Sequence, residues 1–144
     1  MRTVGSPIFA GGHIFGSTGS GAYASNYVAA IKPGKQARIV FQLKNSSKFK
    51  APYVPSMIAR GNNVFMLYDR GFASCVDATT GEIHWSARTG AAFSGSPILV
   101  QDRIYCMDED GVVWVIAAAA KEFRVLAKNS LRAPGRPAPP IPGG

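Results

Sequence analysis

Apolar residues along this chain come in short bursts, and each burst ends in a cluster of Gly, Asp, Asn or Pro. Ile98-Leu99-Val100 is followed by polar Gln101-Asp102-Arg103, then by Ile104-Tyr105-Cys106-Met107, Asp108-Glu109-Asp110-Gly111, and Val112 to Ile116. β-Branched and aromatic runs of strand length, bounded by turn-forming residues, predict hairpins rather than helices. Ala117 to Leu126 carries a competing helical pattern, because Ala, Lys and Glu favour helices.

An internal repeat decides between the two. Residues 56–90 align with 96–130 at an offset of forty without a gap: Ser56 matches Ser96, Ile58 Ile98, Val64-Phe65 Ile104-Tyr105, Gly71 Gly111 and Val76 Ile116. Asp77-Ala78-Thr79-Thr80-Gly81 is turn sequence that a helix tolerates poorly, so its partner after Ala117 is read as a turn as well. A fourth strand is then expected over Phe123 to Ala127, matching Ile83 to Ala87. An earlier copy opens at Ser6-Pro7-Ile8, with Ile14-Phe15 for Val64-Phe65 and Ile31 for Val76. It carries about five extra residues within the Gly/Ser-rich run Gly16 to Asn26.

Four short strands in about forty residues, repeated, predict β-propeller blades. One twisted sheet cannot bury both its faces, whereas stacked sheets bury them together. The expected fold is therefore all-β: a partial β-propeller of about three four-stranded antiparallel blades, at approximately 5–44, 53–90 and 93–131. Residues 132–144, with five prolines in thirteen positions, are expected to form a disordered Pro-rich tail.

At Cys75-Val76-Asp77-Ala78-Thr79-Thr80-Gly81-Glu82-Ile83-His84-Trp85 the chain resembles the PQQ-like, or quinoprotein-type, β-propeller repeat family. The family's pattern is Ala-x-Asp-x-x-Thr-Gly-x-x-x-Trp, matched here at Asp77, Thr80, Gly81 and Trp85, with Cys75 for the small Ala. The resemblance implies that these four residues are structural: the motif caps the turn between a blade's last two strands, and its Trp docks between blades. In the third copy the motif is degenerate, with Ala117, Lys121 and Val125 at the Asp77, Gly81 and Trp85 positions; the first has Lys32-Pro33-Gly34 in the turn and Phe41 near the Trp position.

Enzymes of this family bind pyrroloquinoline quinone and Ca2+ through residues gathered from several blades, and no such set can be assembled here. The family also contains non-enzymatic scaffolds of outer-membrane assembly, which are periplasmic or outer-membrane-associated. The expectation is a non-catalytic binding module without catalytic, cofactor or metal residues, whose partner is another protein or the remaining blades. The alternative is a fragment of a PQQ-dependent dehydrogenase. Three blades are fewer than a closed ring holds, so the chain is read as a fragment with open blade edges through which it can self-associate.

Composition narrows the rest. With 47% hydrophobic and 17% charged residues in 144, the chain is not wholly disordered. Its longest apolar run, Val112 to Ala120, is about half of what a membrane-spanning helix needs. No secretory signal pattern opens the sequence. The net charge of +8 is uneven: residues 1–68 hold eight basic and no acidic residues, whereas 69–144 hold eight of each. Lys32, Lys35, Arg38, Lys44, Lys48 and Lys50 offer an anion-contact patch, and hence an alternative nucleic-acid role. Without a nucleic-acid module they read better as a solvated face, with no nucleic-acid partner.

Asp108-Glu109-Asp110-Gly111 lacks the regular twelve-residue spacing of a calcium loop and is read as a hairpin turn with Gly at positive φ. Cys75 and Cys106 hold non-equivalent repeat positions and are expected as two buried thiols. His13 and His84 form no zinc spacing.

Overall fold

The computed structural model describes residues 3–19 and 26–131. Among these residues, twelve strands form three four-stranded antiparallel sheets, each meandering from its first strand to its fourth. Blade 1 comprises β1 (Ile8–Ala10), β2 (His13–Thr18), β3 (Tyr27–Lys32) and β4 (Arg38–Lys44). Blade 2 comprises β5 (Ile58–Arg60), β6 (Asn63–Tyr68), β7 (Phe72–Asp77) and β8 (Ile83–Arg88). Blade 3 comprises β9 (Ile98–Val100), β10 (Arg103–Met107), β11 (Val112–Ala117) and β12 (Val125–Ser130). No helix among the described residues is long and apolar enough to cross a membrane.

The register repeats as the sequence periodicity predicts. Ile14 pairs with Ile31, Val64 with Val76 and Ile104 with Ile116. Each blade also carries a bulge between its third and fourth strands, at Ala30/Ile31, Cys75/Val76 and Val115/Ile116. An extra residue there sharpens the twist of the outer strand. The first hairpin of each blade turns through a residue at positive φ: Gly11 at 55°, Gly61 at 58° and Gln101 at 56°.

The fourth strand of blade 3 departs from the expected Phe123 to Ala127 and runs from Val125 to Ser130. The gapless alignment breaks after Ala118. The Asp77 N–H donates to the Glu82 carbonyl, whereas the Ala117 N–H donates to that of Arg124, so the blade 3 loop is two residues longer. Pairing then sets Ala127 opposite Val115 where blade 2 sets Trp85 opposite Cys75. Ala127, rather than Val125, is therefore the counterpart of Trp85. Phe41, opposite Ala30, holds that position in blade 1. The expected insertion in blade 1 falls partly on residues 20–25, and the expected disordered tail on 132–144; both lie outside the described residues.

The core consists of two layers between blades. Strand alternation sends Val64 and Met66 of β6 toward blade 1, where they join Phe15, Val28 and Ala30. Phe65 and Leu67 of the same strand point toward blade 3, joining Ile104, Cys106, Trp114 and Ile116. Blade 2 is thus covered on both faces. The innermost strands β1, β5 and β9 contact one another in sequence.

Candidate functional site

The turn after β7 is built around one carboxylate. Asp77 Oδ1 accepts from the Thr79 N–H at 2.7 Å, the Thr80 N–H at 2.9 Å and both threonine hydroxyls, at 2.5 and 3.2 Å. The Gly81 N–H closes the turn on the Asp77 carbonyl at 2.9 Å. The Thr79 hydroxyl leads the donors that hold the Asp77 carboxyl down at about 2, from an ordinary 3.8.

Side chains then tie each blade to the turn of the next. The Trp85 indole N–H donates to the Ala119 carbonyl of blade 3 at 2.9 Å, and its ring lies 5.3 Å from Phe123 and 6.2 Å from Phe65. One blade earlier, Phe41 rests on Gly81: a Cβ there would come within 2.8 Å of two Phe41 ring carbons, and Gly81 has φ +77°. His13 and Arg60 likewise reach equivalent carbonyls in the following blade. His13 Nδ1 lies 2.9 Å from the Ala78 oxygen, and Arg60 Nη1 donates to Ala118 at 3.1 Å. Near the inner strands runs a serine ladder, from the Ser6 N–H to Ser56 Oγ at 2.9 Å and from the Ser56 N–H to Ser96 Oγ at 3.0 Å. The repeated serines were legible as matched positions. The His13 and Arg60 contacts were not, since unlike residues at different positions make them.

The basic residues do not form one patch. Lys32, Lys35 and Arg38 sit at the end of blade 1 that carries the β3–β4 turn, whereas Lys44, Lys48 and Lys50 sit at the opposite end. The seven-residue strand β4 separates the groups by about 20 Å. Sequence proximity suggested a cluster because a strand is extended, and its two ends are close in number but not in space.

Asp108 is buried, and its Oδ1 accepts from the Asp110 and Val112 N–H groups at 3.0 and 2.9 Å. Its Oδ2 accepts from the Trp114 indole at 2.8 Å. Burial pushes its carboxyl up, but these donors and the Lys128 charge outweigh that and hold it below the ordinary range. Lys128 Nζ in turn lies 3.5 Å above the Trp114 ring. Gly111 takes φ +77°, the hairpin geometry expected of this segment. Cys75 and Cys106 are free, buried thiols within the blade 2–blade 3 core, each pushed up to about 12, first by burial and then by a neighbouring aspartate.

A quinone with its calcium ion needs carboxylate and amide oxygens gathered near the propeller axis. The inner strands offer Ile8–Ala10, Ile58–Arg60 and Ile98–Val100, without one carboxylate or side-chain amide. Among the described residues no three His, Cys, Asp or Glu side chains converge. The residues present do not fit that group, and no chemical step follows through it.

A family model described as outer membrane protein assembly factor BamB matches residues 25–122. A search of curated proteins found no match. Among solved structures, BamB from Moraxella catarrhalis aligns at TM-score 0.62 and 12% identity, over 94% of this chain and 36% of its own. A europium-containing methanol dehydrogenase aligns at 0.63 and 16%, over 85% and 24%. Quinohemoprotein alcohol dehydrogenase from Comamonas testosteroni aligns at 0.64 and 14%, over 88% and 21%. At such identities the likeness carries the β-propeller fold alone. The chain spans between about a fifth and about a third of the length of these structures.

Proposed function

The chain belongs to the outer membrane protein assembly factor BamB family, by the match over residues 25–122, and from that membership we propose that it is a non-catalytic β-propeller scaffold that binds protein partners in outer-membrane protein assembly. Its working place is then periplasmic or outer-membrane-associated. One observation carries the reading: the side chains of the repeat motif are engaged within the fold, in the turn and between blades. Asp77 Oδ1 caps its own turn, Trp85 is committed to Ala119 and Phe123, and Gly81 receives Phe41.

The alternative, part of a PQQ-dependent dehydrogenase, has propeller neighbours on its side but no donor set on the inner strands. The nucleic-acid alternative loses its continuous footprint when Lys32 to Lys50 divide between two ends of a blade. Two measurements test the proposal. Absorbance titration with pyrroloquinoline quinone and Ca2+ is expected to give no saturable shift; a saturable, calcium-dependent shift favours the dehydrogenase. Surface plasmon resonance against purified protein components of an outer-membrane assembly complex is expected to show binding, and absence of binding to every component overturns the scaffold role.

A further inference from the structure

At the end of blade 2 opposite the Asp77 turn lies an open cleft of about 270 Å³. It is lined by Arg70 and Gly71 of the β6–β7 turn, Arg88 at the close of β8, and Gly90, Ala91 and Ala92 of the loop that follows. Backbone bonds fix these walls. The Gly71 N–H closes its turn on the Tyr68 carbonyl at 3.1 Å, and the Thr89 N–H donates to the Gly71 carbonyl at 2.9 Å. The Ala92 carbonyl accepts from the Glu109 N–H at 3.0 Å, which moors the loop to blade 3. A Cβ on Gly71 would stand 3.5 Å from the Gly90 and Ala91 nitrogens, so turn and loop approach closely.

The cleft carries donors and no acidic side chain. The Arg88 guanidinium carbon lies 5.0 Å from the Phe72 ring centre, a cation–π contact that holds the head in place. Among the described residues Arg88 makes no hydrogen bond and no ion pair, so its fork of N–H groups is held but unused. Arg70 brings a second guanidinium from the facing turn. The Ala91 N–H is taken by Thr89 Oγ1 at 3.3 Å, whereas those of Gly90 and Ala92 donate to nothing among the described residues. Gly90 has φ +72°, the left-handed conformation that turns neighbouring N–H groups to a common side and makes anion-binding concavities. Acids of the adjoining turns are directed elsewhere. The Glu109 carboxylate accepts from the Ser94 hydroxyl, Asp108 is bonded to the Trp114 indole, and Asp69 keeps one carboxylate oxygen buried.

Donors reaching one cleft from a turn, a strand end and a loop suit a tetrahedral oxyanion, whose oxygens point in several directions. A carboxylate, with two coplanar oxygens, is met by a single guanidinium fork. We propose that this cleft is a binding site for a phosphate group, held by Arg88 and Arg70 and by the N–H groups of Gly90 and Ala92. The group reaches it on a soluble phosphate or on a lipid headgroup, which offer the same oxygens.

Amide NMR spectra of the full chain at low ionic strength test the site. Inorganic phosphate is expected to move the Gly90 and Ala92 signals along saturable curves, and acetate to bind about tenfold more weakly. Arg88→Gln, at an exposed position, is expected to preserve the remaining spectrum and to weaken phosphate binding about tenfold. Arg103→Gln removes the same charge at the opposite end of blade 3 and is expected to leave binding unchanged. Flotation with phosphatidic acid vesicles distinguishes the sources: flotation that Arg88→Gln abolishes assigns the lipid headgroup, and phosphate binding without flotation assigns the soluble ligand. Shifts that do not saturate, acetate binding equal to phosphate, or equal weakening by Arg88→Gln and Arg103→Gln overturns the site.

Discussion

Replacing Trp85 by Ala removes the anchor that joins blade 2 to blade 3, and the loss can be sized from its contacts. A Trp side chain buries on the order of 150–250 Å² when fully covered. Trp85 is half-buried, so roughly 100 Å² of apolar contact is lost, or about 2.5 kcal/mol. The hydrogen bond to the Ala119 carbonyl adds about 1 kcal/mol, little more because water reaches that half-buried oxygen. The expected cost is about 3.5 kcal/mol, toward the low end for a core Trp→Ala change and a large part of a domain's stability. Trp85→Phe keeps most of the ring contact with Phe65 and Phe123 but not the N–H donor, and should cost about 1 kcal/mol. Urea unfolding at one fixed protein concentration, followed by circular dichroism and by the remaining Trp114, separates the two. Equal losses in both variants, or a loss below about 1 kcal/mol in Trp85→Ala, would refute the docking account.

Gly81→Ala should cost about 1–3 kcal/mol, because Gly81 has φ +77° and the new methyl meets the Phe41 ring. In a double-mutant cycle by urea unfolding, Phe41→Ala should relieve the steric part, so that the two losses sum to more than the double variant shows. Because the folded-state pKa of Asp77 is lowered from 3.8 to about 2, the stability it contributes is complete above about pH 4 and lost as pH falls toward 2. Asp77→Asn should flatten that part of the acid-unfolding profile, by about 1 kcal/mol after allowance for solvent screening; an unchanged profile refutes the assignment. Gln101 adopts φ 56° where two other blades use Gly, so Gln101→Gly should raise the urea midpoint, by up to about 1 kcal/mol. A lowered midpoint would show that the turn gains more from Gln101 than it loses in strain.

Much of the blade was legible before any coordinates. Alternating apolar positions and Gly- or Asp-bearing turns fix antiparallel neighbours that are close in the chain, so Ile14 with Ile31, Val64 with Val76 and Ile104 with Ile116 could be matched by period. The motif Asp77, Thr80, Gly81 and Trp85 was legible through its resemblance to the family's repeat pattern, which one local turn holds together. Blade 3 misled where the period itself changed: two more residues before Val125 shifted its outer strand and put Ala127 at the Trp85 position.

Local pairing is set by residues within about eighteen positions of one another, and the sequence by itself determined most of it: the strands, sheets and turns of the described residues, apart from the outer strand of blade 3. Which face of each strand is dry depends on blades forty or fifty residues away, and only the tertiary structure decided that. It seated Phe41 on Gly81, carried His13 and Arg60 to carbonyls of the following blade, and divided six neighbouring cations between two ends of one sheet. It also left the faces of Phe9 and Ile98 in water. Period-two alternation states that a strand has two faces; what covers each is a property of the packed arc.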